Sequence, residues 1–284
     1  FSDGLDSRAV AGLMNLELGD RLIRVRLGNK EFQPIPGPSG KKQPFTSIPY
    51  RVWPRAIDSV ESSARWRGFK FSMISGIAAY MVKADRIIVT ESGQGSLGPA
   101  LVPVGQAYED YRTHPLFTER MERLLKALFG REFHFEFPRI WYTKGETLAA
   151  FARECEDGSS WNTTWSCWQQ NRHSSVAGRK RQCGICAACF LRRLSVHAAG
   201  LEEAPETYVW ENLSANSFET GAASAFSRIT SAHREYAIAG ALHLDHLATL
   251  RSSSVNHGTR DLAVSQLSRS RSVPDARVRS SLNR

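Results

Sequence analysis

Four of the five cysteines in this 284-residue chain lie within one 23-residue window: Cys167, Cys183, Cys186 and Cys189. Two residues separate each member of the last three, so consecutive thiolates can turn inward around one ion. Cys167 is placed to close the shell from a separate strand or loop. Four soft thiolates favour tetrahedral Zn2+. A ferredoxin-type run would continue with a further cysteine and then proline, but Arg193 and Leu194 stand at those positions. Disulfides need an oxidising compartment, and nothing in the chain signals export. The window therefore predicts a structural zinc site, because four thiolates leave no coordination position open for water. Cys155 is expected to be a buried free thiol rather than a fifth ligand.

The chain is long enough to bury a substantial core. It contains no run of about 18 apolar residues, so no membrane span is expected. Phe1-Ser2-Asp3-Gly4 is not the basic and apolar leader of a signal peptide, and with no initiating Met, residues are expected upstream. The cytoplasm is the expected compartment. Of the net charge of +9, +5 falls in residues 251–284, which hold seven Arg and two Asp. A solvated helical extension starting near Pro274-Asp275-Ala276-Arg277 explains that tail better than a nucleic-acid arm, so nucleic acid is not an expected partner.

The first half alternates helix and strand signals. Val10, Leu13 and Met14 share one face of a predicted helix from Ser7 to Leu18, with Gly19 at its C-terminal cap. Leu22 to Leu27 reads as a strand, and residues 33–50, rich in Pro, Gly and Ser, as a loop. A helix is predicted over Ser62 to Lys83, a buried strand over Arg86 to Thr90, a helix over Met121 to Phe129 and a strand over Phe133 to Phe137. Thr143-Lys144-Gly145-Glu146 is a capping box opening a helix through about Glu154. Strands alternating with helices argue an α/β fold, a doubly wound, mostly parallel sheet covered on both faces. The organisation read from the sequence is an α/β unit over 1–154, a zinc lobe over 155–200 and a largely helical part over 201–284. Trp161, Trp165 and Trp168 are expected to pack around the zinc lobe, with purine stacking as the alternative.

Ser2-Asp3-Gly4-Leu5-Asp6-Ser7 stands immediately before the first helix. Short hydroxyl residues, a glycine and a helix N-terminus together make an anion site. Ser2 and Ser7 offer hydroxyl donors to a pyrophosphate, and Asp6 either caps the helix or holds Mg2+. The alternative is a plain Asp/Ser cap on a surface helix.

This loop resembles the SGGxDS signature of the PP-loop ATP pyrophosphatases, which cleave ATP to AMP and pyrophosphate while adenylating a substrate. Among them, the 7-cyano-7-deazaguanine synthase family is similar in more than the loop. It carries a Ser-Cys pair and then Cys-Gly-x-Cys-x-x-Cys-x-x-Arg, matched here by Ser166-Cys167 and by Cys183-Gly184-Ile185-Cys186-Ala187-Ala188-Cys189-Phe190-Leu191-Arg192. The family's Thr-Lys-x-Glu stretch is matched by Thr143, Lys144 and Glu146. The motifs keep the family's order across about residues 1–200. The resemblance implies an adenine nucleotide alpha hydrolase-like fold. It also implies ATP and Mg2+ on Ser2, Gly4, Leu5, Asp6 and Ser7, phosphate contact by Lys144, and structural Zn2+ on the four cysteines.

Departures from the family pattern are specific. Asp3 replaces a glycine of the loop, and Glu61-Ser62-Ser63-Ala64-Arg65-Trp66-Arg67-Gly68-Phe69 replaces the Val-Pro-Gly-Arg-Asn segment. In place of the Tyr-Pro-Asp segment stand Glu91-Ser92-Gly93 and Arg112-Thr113-His114-Pro115. These replacements resemble divergent deazaguanine-synthase-like proteins of bacterial anti-phage islands, including the Qat system. There the activated deazaguanine is thought to pass to a partner protein. Substrate contacts are expected from Arg65, Arg67, Glu91, Arg112 and His114, each with a local structural role as its alternative.

The resulting expectation is an ATP-dependent ligase. It would adenylate the carboxylate of 7-carboxy-7-deazaguanine and transfer the acyl group to ammonia or to an operon-encoded partner protein, with homodimer formation left open. Two other readings remain: a tRNA-thiolating PP-loop enzyme, and a non-enzymatic zinc adaptor that has lost ATP binding.

Overall fold

A computed structural model describes residues 2, 4–27, 45–48, 66–102, 104, 110–168, 174–271 and 275–282. Helix α1 spans Leu5–Leu18 and ends at Gly19, whose φ of +55° is the left-handed conformation that glycine adopts at little cost. It starts two residues earlier than the periodicity predicts. Gly4 is its N-cap, so Leu5, Asp6 and Ser7 form the first turn rather than a preceding loop. The Asp6 carboxylate is favoured there by the helix dipole.

Strand β1 (Arg24–Leu27) pairs in parallel with β2 (Phe45–Ile48) in the register Arg24↔Phe45. The sequence reading of residues 33–50 as loop is corrected at β2. Phe45 to Ile48 carry aromatic and β-branched residues suited to a strand, but the segment is too short to stand out among its Pro and Gly neighbours. The expected helix over Ser62 to Lys83 is α2, Arg67–Met81.

The strand β3 (Arg86–Ile88) pairs in parallel with β4 (His134–Glu136), and the ladder continues as a bridge between Ser92 and Arg139. Between them run α3 (Gly93–Leu101) and α4 (Pro115–Phe129), and after β4 comes α5 (Lys144–Glu154) with the predicted capping box in place. Ile87 and Phe135 pack with Ala79, Met121 and Leu125 under α2 and α4. Ile88, the next residue of β3, packs with Val10, Met14 and Leu22 on the α1 side. Successive strand side chains point to opposite faces, so β3 is covered by helices on both sides; among the described residues the strands form three separate two-stranded sheets rather than one doubly wound sheet.

Helix α3 is not legible in the sequence, because Gly93, Gly95, Gly98 and Pro99 all argue against helix. It forms because the Ser92 side chain accepts the Gly95 N–H at 3.2 Å, an N-cap. Leu97 is buried with Val264, Leu267 and Val278 of the C-terminal helices.

The second half opens with a short antiparallel hairpin, β5 (Ser175–Val176) and β6 (Arg179–Lys180), before α6 (Ala187–Ala198). Helices α7 (Ser231–Thr249), α8 (His257–Arg271) and α9 (Asp275–Leu282) follow, the last starting where the Pro-Asp signal places it. Between α6 and α7 the chain is mostly irregular. Tyr208, Val209, Trp210, Ala223 and Phe226 form one buried cluster with the four zinc-window cysteines. Aromatic bulk, rather than helical periodicity, dictates that stretch. Trp165 packs against this cluster, whereas Trp161 is buried with Leu5, Ala9, Leu148 and Phe151, and Trp168 is exposed. Trp161 also packs with Val196 of α6, so the expected packing around the 155–200 lobe holds for Trp161 and Trp165 and is corrected only for Trp168.

No described helix is long and apolar enough to cross a membrane.

Candidate functional site

Three helix N-termini meet beyond the carboxyl end of β3. The Ser92 hydroxyl, capping α3, donates to the Asp6 carboxylate in the first turn of α1 at 3.5 Å. The Lys144 N–H, at the start of α5, donates to the Gln94 side chain of α3 at 3.4 Å. The Lys144 ammonium forms an ion pair with the same Asp6 carboxylate. Each helix contributes partial positive charge and unsatisfied N–H groups at its start. Open α/β sheets place ligands in this position, at the carboxyl ends of strands.

Hydroxyl groups line the same region. Ser2 Oγ and Ser7 Oγ are 2.7 Å apart, and Thr90 Oγ donates to Ser7 Oγ at 3.4 Å. Lys144 and Asp6 keep 18% and 12% of their side-chain exposure, so the pair lies in a recess that small groups can reach. Leu5 is buried against α5, which leaves only its backbone for a ligand. Asp3 and Arg65 lie outside the described residues.

Electrostatics marks out one carboxylate of the recess, Glu91. Glu91 is pushed up from 4.5 to about 7, first by burial and then by the nearby Asp6 charge, with Lys144 and Arg112 opposing. Burial alone would lower Lys144, but Asp6 and Glu91 together outweigh it and hold the ammonium above its ordinary value. Asp6 thus has a committed cation and a hydroxyl donor. Glu91 has neither as a hydrogen-bond partner among the described residues.

Arg112 pairs with Asp110 at 2.6 Å. Its backbone packs so closely on Gly68 that a side chain there would collide with it. Arg67 is held below its usual value by burial and by the neighbouring Arg112 charge, against Asp110. These residues edge the recess. His114 does something else: its Nδ1 accepts the Leu116 N–H at 3.1 Å and caps α4. Burial pushes it down to about 4, so the side chain performs the local structural role. Thr90, Ser92, Gln94 and Asp110 were missed by the sequence reading. For Ser92 and Gln94 the one signal available was their position just after the strand predicted to end at Thr90; Asp110 had none.

The second centre is the cysteine set. The four sulfurs lie within 4.8 Å of one another and all four residues are buried. Cys183 and Cys189 Sγ are 3.8 Å apart, and a tetrahedron with Zn–S of about 2.3 Å requires S···S of about 3.8 Å. The Cys183 N–H points at Cys167 Sγ at 3.2 Å and the Cys186 N–H at Cys183 Sγ at 3.3 Å. Both contacts stabilise thiolate, and Gly184 makes the intervening turn with φ of +87°. The donor set, spacing and burial fit Zn2+. Cys155 stands apart as a free thiol in the α1–α5 core, with burial first and then Asp157 and Glu154 raising it to about 11.

The two centres touch. Gln182 Oε1 accepts the N–H groups of Ser166 and Cys167 at 2.9 and 3.2 Å. The carbonyl of the adjacent Trp165 lies beside Gly4, within 3.8 Å of where a Cβ would stand. Arg192, three residues after the last cysteine, is buried and pairs with Glu203 at 2.7 Å. It also donates to Thr164 Oγ at 2.7 Å and to the Trp161 carbonyl at 3.3 Å.

Residues 97–200 match the family model of the queuosine biosynthesis protein QueC. The match takes in the end of α3, all of α4 and α5, Lys144 and the four cysteines, while Ser2 to Ser7 and Glu91 precede it. No curated protein and no solved structure gives a match.

Proposed function

We propose, from the premise that the chain is QueC-like over residues 97–200, that it is an ATP-dependent ligase of the 7-cyano-7-deazaguanine synthase type. The observation that carries this reading is the convergence of the α1, α3 and α5 N-termini on the Asp6–Lys144 pair, with the Ser2 and Ser7 hydroxyls alongside.

ATP would lie with its phosphates against Ser2, Gly4, Leu5, Asp6 and Ser7, and Mg2+ would be held by Asp6 and the phosphate oxygens. A substrate carboxylate attacks the α-phosphorus and pyrophosphate departs. The backbone N–H groups, the serine hydroxyls and Lys144 supply fixed positive charge where negative charge develops. An amine then captures the acyl-adenylate. The acid in this reading is 7-carboxy-7-deazaguanine, and the amine is ammonia or a group on an operon-encoded partner protein. In this reading Arg67 and Arg112 would meet the acid. Zinc keeps a structural role, since four thiolates fill its shell.

The same proposal covers the architecture: a doubly wound ATP-binding unit over 1–154, a zinc lobe over 155–200 and a helical part over 201–284.

The test is product analysis of the protein incubated with ATP, Mg2+ and the carboxy-deazaguanine. AMP and pyrophosphate, formed only when the acid is present, are expected. ADP and phosphate, or turnover indifferent to the acid, would sink the reading. A free nitrile product assigns ammonia as the amine, and a mass adduct on a neighbouring protein assigns the partner.

A further inference from the structure

We propose that Glu91 is the general base that takes the proton from the amine as it captures the acyl-adenylate. The assignment rests on the ligase reading above and gives its second half-reaction a named residue.

The geometry separates the two acids of the recess by task. Asp6 is committed, holding the Lys144 ammonium on one oxygen and the Ser92 hydroxyl on the other. Its two oxygens are thus already taken, which suits Asp6 to the phosphate and cation end of the ligase reading. The Glu91 carboxyl accepts no hydrogen bond among the described residues, and the residue is only partly buried. It stands just past β3, over the first turn of α3, where Gly95 makes room for it: any side chain at position 95 would strike its carboxylate oxygen.

The charged groups around it come from every side of the recess: Asp6 from α1, Lys144 from α5, and Asp110 and Arg112 from the segment leading into α4. Burial and the Asp6 charge hold Glu91 near neutrality, where a carboxylate is strong enough to accept a proton and still ionised often enough to act.

The step balances. The amine nitrogen attacks the acyl carbon and the C–N bond forms. The bond from that carbon to the adenylate oxygen breaks, and AMP leaves with the electron pair. The nitrogen's surplus proton passes to the Glu91 carboxylate and from there to water.

The test uses the intact protein and two assays. Carboxylate-dependent exchange of pyrophosphate into ATP reads the first half-reaction, and hydroxamate formation with hydroxylamine reads the second. Capture rates are expressed per unprotonated hydroxylamine, so the pH profile reports the protein's group rather than the nucleophile's. Glu91→Gln is expected to lose capture by ~10²-fold, the lower end of general-base contributions, with a much smaller fall in exchange. The wild-type capture profile should decline below about pH 7, and that decline should be absent in the variant. Gly95→Ala, which keeps the carboxyl but displaces it, should lower capture and retain the decline. It also carries the test if Glu91→Gln does not fold.

Absence of carboxylate-dependent exchange in the wild type overturns the ligase reading itself. Exchange with undiminished capture in Glu91→Gln overturns only the role of Glu91. Equal losses in both assays overturn it too, by making Glu91 a binding residue.

Discussion

The Lys144 ammonium is ion-paired with the Asp6 carboxylate across 138 residues of chain. The contact ties the first turn of α1 to the first turn of α5 and fixes a cation over the region where Ser2 and Ser7 meet. A free surface lysine would have to be ordered by its ligand. This one is ordered beforehand, which is how fixed charge lowers a barrier without reorganisation.

Lys144→Met should therefore reduce carboxylate-dependent AMP formation by ~10²-fold or more, the usual cost of losing one preorganised donor. The melting temperature should fall as well, because removing one partner of a largely buried pair leaves the Asp6 carboxylate without its cation, so the rates are compared well below both melting temperatures. A rate unchanged within twofold would remove Lys144 from the phosphate site.

Glu91 makes stability depend on pH with a defined sign. Its folded value of about 7 lies above the ordinary 4.5, so the folded state holds a proton that the unfolded chain gives up. Stability then falls as pH rises from about 4.5 to 7 and levels off beyond. Glu91→Gln should melt at the same temperature as wild type near pH 4.5 and higher at pH 7.5. The difference should be about 1 to 3 kcal/mol, bounded by 1.36 kcal/mol per unit. Parallel melting curves across that range would contradict the neutral, strained carboxyl.

Metal analysis of the protein should return one zinc and no iron. Replacing Cys189 by Ser, or stripping the ion with a chelator, should collapse the cluster that includes Tyr208, Trp210 and Phe226, read as a change in tryptophan emission and a large loss of melting temperature. Zinc binding to such sites is worth about 10–16 kcal/mol in isolated peptides, more than most domains possess in total. Iron in the purified protein would instead favour the sulfur-transfer reading.

Arg192→Leu should cost about 3–5 kcal/mol, the range for leaving a buried charge unpaired, because Glu203 would lose its cation and Thr164 and the Trp161 carbonyl their donor. The double variant Arg192→Leu/Glu203→Leu should recover part of that loss in chemical denaturation. No recovery would mean that the contacts to Thr164 and Trp161, rather than the ion pair, account for it.

Much of the fold was legible because its signals are local. The capping box at Thr143, the glycine ending α1 and the Pro-Asp start of α9 each involve residues within a few positions of one another. Helix α3 was invisible for the same reason: its glycines and proline speak against helix locally, and the apolar partners that stabilise it lie more than 160 residues further along. Strand β2 was hidden by its neighbours' composition. His114 was offered both as a substrate contact and as a local structural residue; burial and the Leu116 N–H settle its side chain as a cap.

The sequence by itself determined which four cysteines come together, since their spacing fixes how many sulfurs can face one ion, and it determined the residue types at the start of α1. Only the tertiary structure decided that Glu91 is raised toward neutral pH and that Asp6 is taken up by Lys144. Asp6, Glu91, Lys144 and Arg112 are spread along the chain, and Coulomb interactions depend on distance and burial rather than on separation in sequence. That physical difference makes the four-cysteine cluster readable from a 23-residue window, while the recess exists only once three helices have brought their N-termini together.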